Sequence, residues 1–297
     1  MTSRRWILAA VAAASFGGSW ALKRTSAGSS GSRPAPSVER IVSLAPSTTE
    51  VLFALGLGDR VAGVTRYCEY PPEARAKPKM GGYYDPNFEA IVQARPDLVV
   101  TLPEHEEIRA QLHALRLRTL TVDHFSVRGI LQSISLVGEA CGVAAEASRL
   151  RERMEARIRA VQARVAGRPP PRVLVSIARM AGDDSMSRIT VCGRGGFIDE
   201  LIGLAGGVNA FDGPVNLPAL SPEGVVATRP DVVIDMWSDL KQKNIDPERV
   251  RRQWAALPGF TARVHVVGES YAVIPGPRVV LLLEEMAGAL HPEAARD

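Results

Sequence analysis

Short, largely apolar runs recur along the chain, at 41–44, 98–100, 173–177 and 232–234, and longer mixed segments separate them. Runs of this length without polar alternation are typical of strands that are buried on both faces of a parallel sheet. Strands that alternate with helical segments predict an α/β fold with mostly parallel sheets flanked by helices.

Two segments of the chain repeat at a constant offset of 134 residues. Residues 89–100 read EAIVQARPDLVV, and residues 223–234 read EGVVATRPDVVI. A second pair supports the repeat, because residues 50–56 (EVLFALG) resemble residues 200–206 (ELIGLAG). The repeat predicts two related α/β lobes, and it places Glu89 and Glu223 at equivalent positions.

The residues that flank these two glutamates have the chemistry of helix starts. Ser221 precedes a proline and Glu223, which is the order of cap, first-turn proline and acidic residue that favours a helix N-terminus. Asn87 is the corresponding cap in the first copy. We expect each short helix to end before the next proline, Pro96 or Pro230.

A longer helix is predicted between the two copies. Residues 144–166 contain no glycine or proline, and apolar residues recur at steps of three or four along one stripe: Leu150, Met154, Ile158, Val161 and Val165. About 22 helical residues give a rod of roughly 33 Å, long enough to join two lobes. The predicted domains are an N-terminal α/β lobe at 38–143, the connecting helix at 144–167 and a C-terminal α/β lobe at 168–297. A helix packed within one lobe is the alternative.

Residues 1–37 are predicted to lie outside the fold, as a signal or anchor followed by a disordered tether. Arg4 and Arg5 precede an apolar run at 6–16, which is the layout of a secretory signal and resembles a twin-arginine signal. The segment 23–37 is rich in Ser, Gly and Pro. We therefore expect an exported, periplasmic protein, with an uncleaved membrane anchor as the alternative.

Composition excludes several classes of function. The 297 residues carry a formal net charge of +4, without the clustered basic and aromatic residues of a nucleic-acid surface. The sequence has no nucleophile elbow, phosphate loop or zinc-protease motif, so we predict a protein that is not an enzyme. Five histidines and three cysteines show no metal-ligand spacing, so we predict no metal and no cofactor. We also expect a monomer, with Cys141 in its core.

Three segments carry a resemblance to a known family. Residues 40–56 (RIVSLAPSTTEVLFALG), 67–73 (YCEYPPE) and 81–89 (GGYYDPNFE) resemble the helical-backbone class, class III, of periplasmic solute-binding proteins of ABC importers. Within that class they look most like the vitamin B12-binding proteins, and the resemblance covers about residues 38–291. It implies two α/β lobes bridged by one long helix, no catalysis, and a corrinoid carried as transported ligand in the cleft between the lobes.

The resemblance also implies a ligand site. Tyr67 and the loop 270–274 match family positions that touch the corrinoid, a large ligand whose flat ring suits aromatic side chains. Four of the five tyrosines lie in or near the matching motifs, and the fifth lies in this loop. The predicted ligand-binding residues are Tyr67, Tyr83, Tyr84, Cys192, Ser270, Tyr271, Ala272, Val273, Ile274 and Arg278.

A partner follows from the same resemblance. It implies that one glutamate on each lobe docks onto arginines of the permease dimer in the inner membrane, and these positions fall on Glu89 and Glu223. The alternative role for each carboxylate is only to favour its helix dipole, which contributes roughly 0.3–1 kcal/mol.

Other ligands remain open on the same fold. A haem or iron–siderophore binder is the main alternative, although a siderophore site needs several arginines and the sequence offers mainly Arg194 and Arg278. A metal-ion receptor or a metallocluster enzyme subunit is disfavoured by the scattered histidines and cysteines. We interpret the acidic segment 104–107 as a solvated charged loop, with a cleft-facing position as the alternative.

Overall fold

The computed structural model describes residues 37–179, 186–237, 240 and 244–295. The predicted signal or anchor and nearly all of the tether, residues 1–36, lie outside the described residues. Residues 37–297 belong to one compact unit. The boundaries of the two lobes, which we call the N-lobe and the C-lobe, therefore stay a prediction.

A parallel sheet of four strands forms within residues 37–143, all of which are described. The strands are β1 (Ile41–Ser43), β2 (Val61–Val64), β3 (Leu98–Thr101) and β4 (Thr119–Thr121). Their order is β2-β1-β3-β4, and every neighbouring pair is parallel. Leu98 packs into one apolar cluster and Val99 into another, so both faces of the sheet are covered, as the uninterrupted apolar runs predict.

Helices connect these strands and cover the sheet. The helices of the N-lobe are α1 (Pro46–Ala54), α2 (Pro72–Arg75), α3 (Phe88–Gln93), α4 (Glu106–Ala114) and α5 (Val127–Ala140), with short 3-10 turns at Gly58–Arg60 and Pro103–His105. The Asn87 side chain accepts a hydrogen bond from the Ala90 amide at 3.0 Å. The predicted cap of the first repeat copy is therefore confirmed.

The long helix α6 (Ala144–Val165) has 22 residues, and its predicted apolar stripe is buried. It packs against α5 on one side. Gly138 of α5 permits this approach, because a Cβ added there would lie 2.4 Å from the Cβ of Ala147. The helix is thus a packed bridge rather than an isolated rod, and its stripe joins a hydrophobic cluster that also contains residues of the C-lobe.

The second sheet is mixed. Its described strands are β5 (Arg172–Arg179), β6 (Ile189–Val191), β7 (Val208–Asn209), β8 (Ala219–Leu220), β9 (Val232–Met236) and β10 (Arg263–Val267). The order is β10-β9-β5-β6-β8, with β7 beside β5. β5 is parallel to β7 and β9, whereas β6 runs antiparallel to β5 and to β8.

The described helices of the C-lobe are α7 (Gly196–Leu204), α8 (Pro222–Ala227), α9 (Pro247–Ala255) and α10 (Val279–Leu290), with 3-10 turns at Ser270–Val273 and Pro292–Ala295. The Ser221 hydroxyl accepts a hydrogen bond from the Gly224 amide at 3.2 Å, which confirms the second predicted cap. α10 packs on α6 from the side of the C-lobe. The fold is the predicted α/β architecture.

The repeat is visible in the backbone as well as in the sequence. Arg95 and Arg229, 134 residues apart, both adopt a left-handed conformation, with φ of 45° and 48°. The aspartate two positions later anchors each copy, because Asp97 accepts hydrogen bonds from the Glu39 and Arg40 amides and Asp231 accepts one from the Arg172 amide. The shared Arg-Pro-Asp segment therefore ties each short helix to the start of its lobe's first strand.

Candidate functional site

A cavity of about 1020 Å³ lies where the two sheets face each other. Its N-lobe wall comes from the segments that follow the carboxyl ends of β1 to β4, and Ile177 of β5 and the loops after β6 and β10 contribute to the opposite wall. Parallel α/β sheets place ligands at this edge because the connecting loops leave a crevice there. The residues on its wall are Pro46, Ser47, Tyr67, Tyr83, Leu102, Pro103, Glu104, Asp123, His124, Phe125, Ile177, Cys192, Gly195, Gly196, Phe197, Ile198, Asn216, Leu217, Val273, Ile274 and Pro275.

Five of the predicted ligand-binding residues lie on this wall: Tyr67, Tyr83, Cys192, Val273 and Ile274. Tyr67 is 54% exposed, and the Arg66 guanidinium lies 5.7 Å from its ring centre. Arg66 itself pairs with Asp85 at 2.5 Å. The Tyr67 ring therefore presents free aromatic surface to the cavity.

The structure does not bring the other five to the wall. Tyr84 is 72% exposed outside the cavity, and Ala272 is fully buried in the core. The Tyr271 hydroxyl donates to Glu285 at 2.7 Å, and burial together with this carboxylate raises the pKa of Tyr271. Ser270 and Arg278 hydrogen-bond to each other at 3.2 Å. Of the loop 270–274, the short 3-10 turn leaves only Val273 and Ile274 facing the cavity.

Arg278 is committed to a buried ion pair. Its Nε and Nη2 atoms donate to the two oxygens of Glu50 at 2.9 and 2.5 Å, and the two side chains are 13% and 3% exposed. Burial raises the pKa of Glu50, while the hydrogen bond from Arg278 acts in the opposite direction. The Arg278 guanidinium also lies 3.7 Å from the centre of the Tyr70 ring. Arg278 is therefore engaged in a buried ion pair and is not available to bind an anionic ligand.

Tyr83 and Glu104 form a polar pair on the N-lobe wall. The Tyr83 hydroxyl donates a hydrogen bond to Glu104 Oε1, and burial and this carboxylate raise the pKa of Tyr83. The Tyr83 ring meets His105 edge to face, with ring centres 4.6 Å apart. His105 is fully buried, so the interpretation of 104–107 as a solvated loop is wrong at this position, whereas Glu104 is exposed and lines the cavity, as the alternative expects. The 3-10 turn Pro103–His105 buries His105 and places Glu104 on the cavity wall.

His124 also lies on the cavity wall, although it is not among the predicted ligand-binding residues. Its Nδ1 and Nε2 atoms each lie 2.8 Å from a serine hydroxyl, Ser47 on α1 and Ser133 on α5. Burial lowers the pKa of His124 to about 4, so the imidazole is neutral at neutral pH. Both ring nitrogens are occupied, and no pattern of spacing in the sequence signals this arrangement.

The three cysteines are all free and buried. Burial, with a further contribution from Asp199, raises the pKa of Cys192 to about 12, and burial raises the pKa of Cys68 and Cys141 as well. Thiolate is the reactive form, and a raised pKa keeps these cysteines as neutral thiols, so they are poorly reactive at neutral pH. The expectation that Cys141 lies in the core is confirmed.

We expect the folded protein to show negligible maleimide labelling of its native cysteines at neutral pH, followed by intact mass, while the unfolded protein takes up three labels. A Gln93→Cys variant, at an exposed position of α3, should accept one label rapidly and is the matched control. Fast labelling of the folded wild-type protein would contradict the burial of Cys192.

The charges on the wall are acidic. Glu104 and Asp123 line the cavity, and no arginine or lysine lies on the wall among residues 37–179, 186–237, 240 and 244–295. Asp123 is held in place by the Phe125 amide, which donates to its Oδ1 at 2.8 Å. The cavity therefore favours a ligand that offers hydrogen-bond donors over one that presents carboxylates.

The described residues contain neither a metal-ligand cluster nor a helix able to span a membrane. No group of three or more histidine, cysteine, aspartate or glutamate side chains there is arranged to hold a metal ion. None of the helices found in the same part of the chain combines the length and apolar character that crossing a membrane requires.

Glu89 and Glu223 lie in the first turns of α3 and α8. Both are exposed, and neither lies on the cavity wall. The Gln93 amide donates to Glu89 at 3.2 Å. Hydrogen bonds from its own backbone amide and from Ser221 lower the pKa of Glu223, so this carboxylate is charged at neutral pH.

The fold and the cleft define a class of protein: an α/β protein with a large cavity between two sheets that are joined by a long helix. The family model for periplasmic binding proteins matches residues 41–262, and the chain belongs to that family. Its fold matches solved class III members, and it is a binding protein of the ABC importer type. Family members are substrate-binding proteins that work with a permease and carry transported ligands rather than cofactors.

Individual relatives differ in their ligands. The chain is 27% identical to the uncharacterized ABC transporter substrate-binding lipoprotein YvrC of Bacillus subtilis, over 87% of this chain and 82% of that one. It is 25% identical to the vitamin B12-binding protein of Photorhabdus laumondii, over 85% and 88%. The apo structure of the periplasmic heme-binding protein RhuT of Roseiflexus sp. RS-1 superposes with a TM-score of 0.73 at 30% identity, over 86% and 99%.

Proposed function

We propose that this binding protein captures cobalamin or a related corrinoid in the cleft and delivers it to its permease. The observation that carries the proposal is the cavity itself, which combines a large volume, exposed aromatic surface and carboxylates without a described basic group. Pockets for drug-sized ligands measure about 300–1,000 Å³, so a cavity of about 1020 Å³ suits a ligand of the size of a corrin or porphyrin.

The apolar part of the wall suits the face of a flat macrocycle. Tyr67 and Phe125 are 54% and 57% exposed on the N-lobe side, and Leu217 is 53% exposed on the C-lobe side. Exposed apolar side chains gathered around one concavity are typical of a ligand site. A macrocycle between these side chains would remove them from water.

The polar part of the wall distinguishes between macrocycles. Corrinoids carry amide groups at their edge, whose N–H groups can donate to Glu104 and Asp123. Haem carries two carboxylates, which would face these acids without a described arginine or lysine to neutralise them. The same argument disfavours anionic siderophores, because Arg278 is engaged by Glu50 and Arg194 does not line the cavity.

Haem is the second candidate, and Tyr67 is the observation that favours it. A phenol is a known axial ligand of haem iron, and the Tyr67 side chain is exposed at the cavity wall. The two candidates use this residue differently, since a corrinoid requires its aromatic face and haem requires its oxygen.

We expect calorimetric titration of the purified protein to show tight binding of cyanocobalamin and cobinamide and weak or no binding of haemin and ferric hydroxamates. Tyr67→Ala should weaken corrinoid binding by roughly 10- to 100-fold, about 1.4–3 kcal/mol, because an aromatic contact is lost. Tyr67→Phe should keep the affinity within about threefold, since the ring remains. Leu115→Ala, which shortens an exposed apolar side chain away from the wall, is the matched control and should leave the affinity unchanged.

Two results would argue against a corrinoid. Binding of neither cobalamin nor cobinamide would overturn the proposal directly. Haemin binding that Tyr67→Phe abolishes, with loss of the charge-transfer absorption of a phenolate-bound iron, would establish the second candidate instead.

Delivery to the permease is proposed to proceed through Glu89 and Glu223. Their exposure, their equivalent positions in α3 and α8 and the charged state of Glu223 support this role. One acidic group on each lobe is complementary to a permease built from two equivalent subunits. We also propose that the protein is exported to the periplasm through its N-terminal basic and apolar segment. It is proposed to function there as a monomer.

A further inference from the structure

The second pair of repeated segments contains a glutamate that the proposed function does not use. Glu50 lies in α1 of the N-lobe, and Glu200 lies at the equivalent position in α7 of the C-lobe. Neither lines the cavity. Each carboxylate nevertheless makes its principal contact in the other half of the chain.

Glu50 reaches the start of α10. Its carboxylate receives two hydrogen bonds from Arg278, which is the N-cap residue of that helix. The approach is close, since a Cβ added at Gly276 would lie 3.0 Å from Glu50 Oε2. The cavity wall residue Pro275 immediately precedes this contact in the chain.

Glu200 reaches the start of α5 in the opposite direction. Its Oε2 accepts a hydrogen bond from the amide of Val127, the first residue of that helix, at 2.7 Å. The ring of Phe125 reaches the same part of the C-lobe, because Cβ atoms added at Gly195 and Gly196 would lie 3.8 and 3.7 Å from it. These three residues also line the cavity.

The two contacts are therefore reciprocal. In each, a glutamate from the repeated helix of one lobe meets the N-terminus of a long helix of the other lobe, where the helix dipole favours a carboxylate. Glu200 is bound there by a backbone amide, and Glu50 by the side chain of the N-cap residue Arg278. α5 has 14 residues and α10 has 12, so each helix is long enough to have a substantial dipole at its N-terminus. Both contacts adjoin the cavity wall, one beside Phe125 and the other beside Pro275.

The two contacts differ in burial. Glu50 is buried and its ion pair with Arg278 is bidentate, whereas Glu200 is exposed and makes a single hydrogen bond to a backbone amide. Water competes for the exposed contact and not for the buried one. The Glu200–Val127 hydrogen bond therefore breaks at a lower free-energy cost than the Glu50–Arg278 ion pair.

We propose that Glu50 and Glu200 are positioning residues that set the width of the ligand cleft, with the Glu50–Arg278 pair as the pivot and the Glu200–Val127 contact as a releasable latch. Opening of the latch lets the walls that carry Phe125 and Gly195 separate while the pivot holds the lobes together. This inference concerns the protein without ligand and does not depend on which macrocycle it binds.

The test measures the distance between the lobes directly. Nitroxide labels on Gln93→Cys and Ala227→Cys, equivalent exposed positions of α3 and α8, report that distance by pulsed electron spin resonance, and the buried native thiols remain unlabelled. Glu200→Ala is expected to broaden the distance distribution of the ligand-free protein and to shift it. Glu248→Ala, which removes an exposed carboxylate that pairs with Arg251 on its own helix, is the matched control and should leave the distribution unchanged.

Glu50→Ala should produce a larger change than Glu200→Ala, because the pivot is lost. If Glu50→Ala does not fold, circular dichroism will show it, and Glu200→Ala at its exposed position still decides the proposal. A distribution for Glu200→Ala identical to that of the control would overturn the inference. Failure to bind corrinoid would overturn the proposed ligand and leave the distance result unaffected, so the two outcomes are separable.

Discussion

Replacing Glu89 and Glu223 together with alanine should abolish corrinoid uptake and leave the affinity for the ligand unchanged. The two carboxylates are exposed, lie in the first turns of α3 and α8, and are absent from the cavity wall. Removing them therefore deletes no ligand contact. If each pairs with a permease arginine, each loss weakens docking by roughly tenfold, and the double variant by roughly 100-fold.

The measurement pairs calorimetry on the purified variants with uptake of labelled cobalamin by cells that express the cognate permease. Each single variant should retain partial uptake, because one docking contact remains. Glu73→Ala with Glu248→Ala is the matched control, since these exposed glutamates also lie in first turns of helices, α2 and α9. Normal uptake by the Glu89/Glu223 variant, or a loss of its ligand affinity, would refute the docking role.

Acidification should destabilise the protein through His124. Burial holds the pKa of His124 at about 4, against 6.5 for an unhindered histidine, because the charged imidazole is poorly solvated between Ser47 and Ser133. A pKa lowered from 6.5 to about 4 corresponds to about 3 kcal/mol of unfolding free energy.

The direction in which stability changes with pH follows from proton linkage. Between pH 6.5 and about 4 the unfolded chain binds a proton at His124 and the folded chain does not. Stability from this group is therefore fully present above pH 6.5, declines as the pH falls through that window, and is lost below about pH 4. The nearby carboxylates of Asp123 and Glu104 favour the charged form and limit the shift without reversing it.

Urea denaturation at a series of pH values checks this expectation. His124→Gln should show a flatter dependence of unfolding free energy on pH across the window, because its amide does not titrate. His113→Gln is the control, since His113 is exposed and should leave the wild-type slope in place. Equal slopes for wild type and His124→Gln would show that burial does not perturb this histidine.

Local patterns predicted the parts of the fold that depend on local chemistry. The caps at Asn87 and Ser221, the apolar stripe of α6 and the buried strands β3 and β9 all lie where the sequence places them. Each depends on residues within a few positions of one another, so periodicity and capping are sufficient to find it. The offset of 134 residues relates the local features of the two copies to each other. The structure shows the same relation in the backbone, where Arg95 and Arg229 are both left-handed.

Contacts between residues that lie far apart in the sequence could not be predicted from local patterns. The sequence pairs strand with helix in both copies, but β6 separates β5 from α7 and makes the second sheet mixed. Glu104 and His105 look like a charged surface segment, yet the 3-10 turn that carries them buries His105 and places the exposed Glu104 on the cavity wall. Arg278 looks like an anion receptor, yet a glutamate 228 positions away engages it.

The sequence by itself determined the class of fold, the internal repeat and the membership of a solute-binding family, because spacing, capping and motif residues act over short stretches of chain. Only the tertiary structure decided which predicted residues meet at the cavity, that its described wall is acidic, that His124 is neutral within it, and that Glu50 and Glu200 span the two lobes. These properties arise from burial and from pairs far apart in sequence, and neither is defined until the chain has packed.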